Sequence, residues 1–220
     1  MMYKVIDGEV ATKAATYLAK ADPLLTPVIA THGLCTFRPH REYYRELVES
    51  IIGQQLSVKA AAAIETRFIA LFNDTFPTPE QILSVTVEDL RAIGFSRPKA
   101  GYVQDLAAKV LAGEVKFDHL DDLSNEEVIA ELTAVKGIGE WTVHMFLMFC
   151  MGRMDVLPTG DLGIRNGVQK LYGLAAVPTP DEVKKIAQKH KWHPYESIAS
   201  WYIWQSLKNE PIQNRRELAR

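Results

Sequence analysis

The 220-residue sequence predicts an all-α protein. Three observations carry that expectation. Apolar residues recur at i, i+3, i+4 and i+7 through most of the chain, the period of an amphipathic helix. Helix-start signals, a Ser or Thr followed three residues later by an acid, recur at Thr86 with Asp89 and at Ser124 with Glu127. No stretch sustains the period-2 alternation of a half-buried strand.

The elements follow in order. Residues 9–21 have helical apolar spacing and stop at Asp22-Pro23. Residues 43–53 place Leu47, Val48, Ile51 and Ile52 on one face, and Ser57 caps a helix through Leu71 whose run Ala60–Ala63 permits close packing. The stretch 73–79 (NDTFPTP) reads as a turn. Thr86 opens a short helix ending at Gly94. Ser96 caps the next, with Pro98 in its first turn and Gly113 past its end. Ser124 opens a helix to about Ala134; helices over 140–151, 161–171, 180–189 and 195–207 complete the set. Sequence boundaries near 39–41 and 152–153 give a central bundle of 41–152 and a second unit made of 1–40 with 153–220, without repeats or low-complexity segments.

Hydrophobic residues make up 47% and charged residues 24%, ordinary for a folded domain, and the net charge of −2 argues against a non-specific nucleic-acid coat protein. It leaves open binding through a local patch or backbone amides. The start MMYKVIDGEVATK lacks the basic-then-apolar pattern of a signal peptide, and no apolar run is long enough to span a bilayer. Cys35 and Cys150 read as buried thiols of a reducing compartment, too few for a four-thiolate iron–sulfur cluster. The six histidines show no zinc-ligand spacing, and His144, in an apolar helix, reads as a core histidine.

Residues 132–142, LTAVKGIGEWT, set two glycines around an isoleucine between two helices. A helical glycine costs about 1 kcal/mol relative to alanine, so the pair must end one helix and begin another. One reading is a plain helical hairpin with glycines chosen for turn geometry. The other is an anion cradle: bare backbone at Gly137, Ile138 and Gly139, plus the unpaired N–H groups and positive dipole end of the helix starting at Glu140.

Four segments, in order, carry a resemblance: SIIGQQLS (50–57), LTAVKGIGEWTVHM (132–145), LPTGDLGIR (157–165) and WHPYESIASWYIW (192–204). Together they resemble the helix–hairpin–helix DNA glycosylase superfamily, and within it the 3-methyladenine DNA glycosylase II (AlkA/Mag) family. The last segment is similar to that branch's W-x-P-(Y/W)-R-S-x-A pattern. The resemblance implies two helical subdomains flanking a DNA-binding cleft, the terminal one carrying a catalytic aspartate. It implies a monofunctional enzyme of base excision repair that flips and hydrolytically excises alkylated purines such as 3-methyladenine and 7-methylguanine.

By itself Asp161, after Pro158-Thr159-Gly160, reads as a helix N-cap. The resemblance implies that it is also the catalytic carboxylate, stabilising an oxocarbenium-like sugar and orienting water. Bifunctional relatives carry a nucleophilic lysine two residues after the last hairpin glycine, where this chain has Trp141, so no lyase step is expected. Gln55 matches the residue inserted into the base stack; Gln54 and Ser57 lie beside it, and without the resemblance the glutamines read as a helix-end pair. Trp141 and Trp204 match pocket aromatics, with Met145 and Gln205 where relatives carry tyrosines. Each tryptophan also reads as core, as Trp192 and Trp201 do.

No cofactor is expected beyond a Na or K ion at the hairpin, which the resemblance assigns to the backbone carbonyls of Thr133, Val135 and Gly137. The expected partner is double-stranded DNA containing alkylated bases, bound by a monomer without membrane association, in the cytoplasm at the nucleoid or in a nucleus. Arg38, Arg41, Lys99, Arg153 and Arg165 are candidate phosphate contacts, with Arg215 and Arg216 in a basic tail. The chain opens on helices where some members carry a β-domain. The alternatives are a non-catalytic helix–hairpin–helix DNA-binding protein, for which Asp161 would be superfluous, and a glycosylase for other damaged or mismatched bases.

Overall fold

The computed structural model describes residues 8–208, in which helices alone make up the regular structure. In chain order they are α1 (Gly8–Ala21), α2 (Thr26–His32), α3 (Tyr43–Gly53), α4 (Val58–Leu71), α5 (Pro79–Ser84), α6 (Val87–Ala92), α7 (Arg97–Leu111), α8 (Asn125–Thr133), α9 (Glu140–Met145), α10 (Leu162–Tyr172), α11 (Pro180–Lys189) and α12 (Glu196–Leu207).

The local rules act as written. Ser57, Ser96 and Ser124 cap α4, α7 and α8, and Thr86 with Asp89 and Ser124 with Glu127 form reciprocal capping boxes. Two helices escape the periodicity argument because they are short. The first is α2. The second, α5, starts inside the expected turn: Thr78 caps it, Pro79 takes its first position and Gln81 closes the box. The helix expected over 140–151 changes pitch. It is α-helical to Met145 and continues as a π-helix over Phe146–Cys150, a wider turn that buries Phe146, Leu147, Met148 and Cys150.

The described chain divides into two units, His40–Phe146 and 8–39 with 147–208. In the first, α7 is the common packing partner of α3, α5 and α6, α4 pairs with α3, and α8 with α9 forms the hairpin. Its core includes Leu47, Ile51, Phe68, Leu90, Val103, Leu106, Val128, Leu132 and Val143. Phe68 meets Phe72, Phe76 and Phe95 in a cluster of rings.

In the second unit, α12 is the central helix, buried continuously from Ser197 to Ile203 and packed by α1, α2 and α10. Trp192 and Trp201 are core residues. The fully buried Asp22 accepts hydrogen bonds from Trp192 Nε1 at 2.9 Å, the Tyr172 hydroxyl and the Leu24 N–H, and faces His190 Nδ1 at 3.3 Å. A buried carboxylate must be paired in this way to be tolerated. The network fastens the chain after α1 to the ends of α11 and of α10, the helix that Asp161 caps.

Candidate functional site

The hairpin is braced on three sides within its unit. Ile138 is buried and anchors the turn. The Lys136 N–H donates to Asp105 Oδ2 at 2.9 Å, and its ammonium lies 3.6 Å from the same carboxylate. The Gln54 side-chain amide donates to the Gly137 carbonyl at 2.8 Å. The two glycines differ. Gly137 has φ +83°, and a Cβ there would stand 2.1 Å from the Tyr102 ring. Gly139 is the N-cap of α9 with φ −101°, and a Cβ there would meet nothing within 4 Å. Gly137 thus serves the turn, while Gly139 leaves bare backbone at an open helix start. The Glu140 side chain points away to His144, 3.7 Å off. Burial pushes the His144 pKa down, and Glu140 opposes that shift.

The segment between α3 and α4 is equally fixed. Lys99 Nζ donates to the carbonyls of Ile52 at 2.8 Å and Gln54 at 2.5 Å, and Gln54 reaches the hairpin as described. Ser57 is the N-cap of α4, its hydroxyl accepting from the Ala60 N–H. Between these anchors Gln55 is exposed and held at φ +56°. A non-glycine residue pays about 1–2 kcal/mol in that region, so the surroundings enforce it.

Gln54, Gln55, Trp141 and Met145 line one pocket of about 260 Å³, together with Glu46, Leu47, Ser50, Gly53, Thr142 and Phe146. Trp141 is 53% exposed, so the core reading of it is corrected; it sits on the first turn of α9, one turn from Met145.

Asp161 closes a tight turn in which its N–H donates to the Pro158 carbonyl and the Thr159 N–H to that of Leu157. Its Oδ1 accepts from the Ile164 N–H at 2.7 Å, the N-cap bond of α10, and from Trp204 Nε1 at 2.9 Å. The Trp204 ring stacks on Phe149 with 5.9 Å between centroids. Trp204 and half-buried Gln205 therefore belong to the carboxylate's own unit, with the indole acting as a donor to it. Gly163 permits this: a Cβ there would lie 2.9 Å from Asp161 Oδ1 and 3.0 Å from Trp204 Nε1. One turn on, a Cβ at Gly167 would lie 2.5 Å from Ile203 Cγ2 and 2.9 Å from its carbonyl oxygen.

Several candidate phosphate contacts have structural partners. Lys99 is bound to carbonyls, and burial lowers its pKa. Arg165 Nε donates to the Pro178 carbonyl at 2.7 Å, and Arg41 pairs with Asp121 at 3.2 Å. Lys99 and Arg165 thus hold their own unit together: carbonyls at α3's end and in the turn before α11 accept their hydrogen bonds. Arg38 is exposed and Arg153 half-buried; Arg215 and Arg216 lie outside the described residues.

Comparison with known proteins decides what this geometry belongs to. Residues 48–192 match the HhH-GPD superfamily of base excision DNA repair proteins. The chain belongs to this superfamily. It is 39% identical over 206 residues to DNA-3-methyladenine glycosylase 1 of Schizosaccharomyces pombe, covering 90% of this chain and 88% of that protein. The S. pombe enzyme solved with abasic DNA superposes with a TM-score of 0.77 at 37% identity, covering 90% of this chain and 98% of that one. A DNA-3-methyladenine glycosidase from Bacillus halodurans superposes with a TM-score of 0.80 at 35% identity, covering 94% and 92%. No helix among the described residues of this HhH-GPD protein is long and apolar enough to cross a membrane.

Two of the three hairpin carbonyls that the resemblance assigns to a monovalent cation already accept hydrogen bonds. Gly137 O accepts from Gln54 and Val135 O from the Ile138 N–H at 3.1 Å, which leaves each a second lone pair. Sequence reasoning missed Tyr102, Asp105 and the roles of Gly163 and Gly167. For the glycines the signal was present: two glycines four apart inside a helix imply a close neighbour.

Proposed function

We propose that this chain is a monofunctional DNA glycosylase that flips alkylated purines of the 3-methyladenine and 7-methylguanine type out of duplex DNA and hydrolyses the bond to the sugar. It acts as a monomer, in base excision repair, on the cell's DNA. The observation that carries the reading is the Asp161 carboxylate, whose Oδ1 is fixed by the Ile164 N–H and the Trp204 indole. A helix cap alone needs no second donor from a tryptophan 43 residues away.

The duplex strand rests its phosphates on the bare backbone at Gly139 and the first turn of α9. Gln55, held outward at positive φ, enters the stack and fills the space of the flipped nucleotide. The base lies against Trp141, whose ring face attracts a cationic purine more than a neutral one, by about 0.5–2 kcal/mol. As the C1′–N bond breaks, the base leaves with the bonding pair and the sugar becomes oxocarbenium-like. Asp161 stabilises that charge and takes a proton from the water that attacks C1′. A Na or K ion on the carbonyls of Thr133, Val135 and Gly137 would add positive charge toward a phosphate. Trp141 stands where a lyase would need its lysine, so strand nicking is not part of the reaction.

The test is base release from alkylated duplex DNA, with products identified. Wild type frees 3-methyladenine or 7-methylguanine; Asp161→Asn binds the same DNA and releases base at least about a hundredfold more slowly. Near-normal turnover by Asp161→Asn refutes the assignment, and a covalent adduct trapped by borohydride refutes the monofunctional step.

A further inference from the structure

The geometry points to Glu46 as the residue that makes the pocket selective for positively charged bases. This inference rests on the proposed function, because it requires the flipped base to enter the pocket beside Trp141.

The pocket lies wholly within the His40–Phe146 unit. Of the ten residues that line it, Glu46 alone carries a charge. It stands on α3 one turn before Ser50, its side chain 34% exposed and its Oε2 3.2 Å from His40 Nε2. Two polar neighbours are already engaged: the Ser50 hydroxyl donates to the Leu47 carbonyl at 2.8 Å, and Gln54 donates to the hairpin. The rest of the wall is Gly53, Gln55, Thr142 and the apolar Leu47, Trp141, Met145 and Phe146, and the apolar groups lower the local dielectric and strengthen the carboxylate's field.

Alkylation at N3 or N7 makes a purine cationic, whereas hypoxanthine, also a non-standard purine, is neutral. A carboxylate and an indole face on one pocket both favour the cation. Glu46 acts on recognition and not on bond breaking. The base loses its charge as the bond cleaves, so an anion beside it holds the bound ground state at least as well as the transition state. Glu46 thus acts at the flipping step, on the cationic N3- and N7-alkylpurines of the proposed function.

Binding is measured in the Asp161→Asn background, which keeps the lesion intact, with duplexes carrying one 7-methylguanine, one hypoxanthine or no lesion. Adding Glu46→Gln, which keeps the side chain's shape, is expected to weaken binding of the 7-methylguanine duplex about tenfold, the low end of what one pocket contact contributes to discrimination. Hypoxanthine and undamaged duplexes keep their affinities within about twofold. His40→Ala removes a partner of the carboxylate and leaves Glu46 in place, so the preference for the cationic base is kept or rises. An equal loss on all three duplexes, no loss on any, or a preference that falls in His40→Ala overturns the inference. Release of 7-methylguanine by the unmutated enzyme separates the two failures. If it is absent, the proposed function is wrong; if it is present while Glu46→Gln keeps the cation preference, only the role of Glu46 is wrong.

Discussion

The protein uses two pairs of closely spaced glycines, and they are not alike. In the hairpin, Gly137 is forced by a left-handed backbone and the Tyr102 ring, while Gly139 faces open space. In α10, Gly163 and Gly167 both sit inside a helix of ordinary geometry, where alanine would be preferred by about 1 kcal/mol each. Each is there because something lies against it: the Asp161–Trp204 hydrogen bond over Gly163, the Ile203 backbone and side chain over Gly167. One pair shapes a turn and bares a surface. The other brings α12 close enough for an indole to reach a carboxylate. The same residue type thus separates a region built for another molecule's approach from one built for internal precision.

The sharpest way to break the comparison is Gly163→Ala. The new methyl must push apart the carboxylate and the indole, while the helix itself gains propensity. Base release is expected to fall about 10–100-fold, the cost of a misplacement near 1 Å, with DNA affinity unchanged and thermal stability changed little, because strain on the N-cap bond to Ile164 offsets the gain in helix propensity. Trp204→Phe, which removes the donor and keeps a ring beside Phe149, should shift the rate in the same direction. If either variant releases base at the wild-type rate, the hydrogen bond to Asp161 does not position it.

The hairpin pair should divide differently. Gly137→Ala places a Cβ into Tyr102 at positive φ and should cost at least about 2 kcal/mol, a fall in Tm of about 4–8 °C for a chain of this size. Gly139→Ala should leave Tm nearly unchanged, within about 0.5 kcal/mol. It should nonetheless weaken duplex binding about tenfold, roughly 1.4 kcal/mol, because the methyl stands where a phosphate would approach. Calorimetry and duplex titration on the two variants read both effects. If both lose stability alike and neither loses affinity beyond its unfolded fraction, the hairpin is only a turn.

The hairpin was legible because its signals are local. Glycine spacing, the Ser124–Glu127 box and the buried Ile138 all follow from short-range rules. The all-helical class was legible for the same reason, since caps and periodicity need no tertiary information. What the sequence hid was long-range. Lys99 and Arg165 look like any surface cation until the carbonyls they bind, at 52, 54 and 178, come into view. The hydrogen bond from Trp204 to Asp161 was hidden as well, because a sequence cannot show where an indole N–H points. The short α2 and α5 escaped because six or seven residues give too few apolar positions for a period.

The smallest expected effect sharpens the contrast between scaffold and chemistry within the hairpin. His144 lies on α9, its side chain 13% exposed, and burial holds its pKa below the ordinary 6.5. In the unfolded chain the same imidazole protonates readily near that value, so the unfolded state binds more protons as the pH falls. Stability is therefore highest above about pH 6.5 and declines as the pH drops from there toward the lower folded-state pKa; below both values the loss is complete and constant. His144→Gln, which cannot titrate, should flatten this part of the wild-type curve when urea midpoints are compared at pH 7.5 and pH 5. Glu140→Gln should steepen it, because the carboxylate 3.7 Å away is what favours the imidazolium in the folded state. Parallel curves for all three proteins would mean that His144 titrates in the folded protein as it does in the open chain, and that the hairpin helix is wetter than its burial implies.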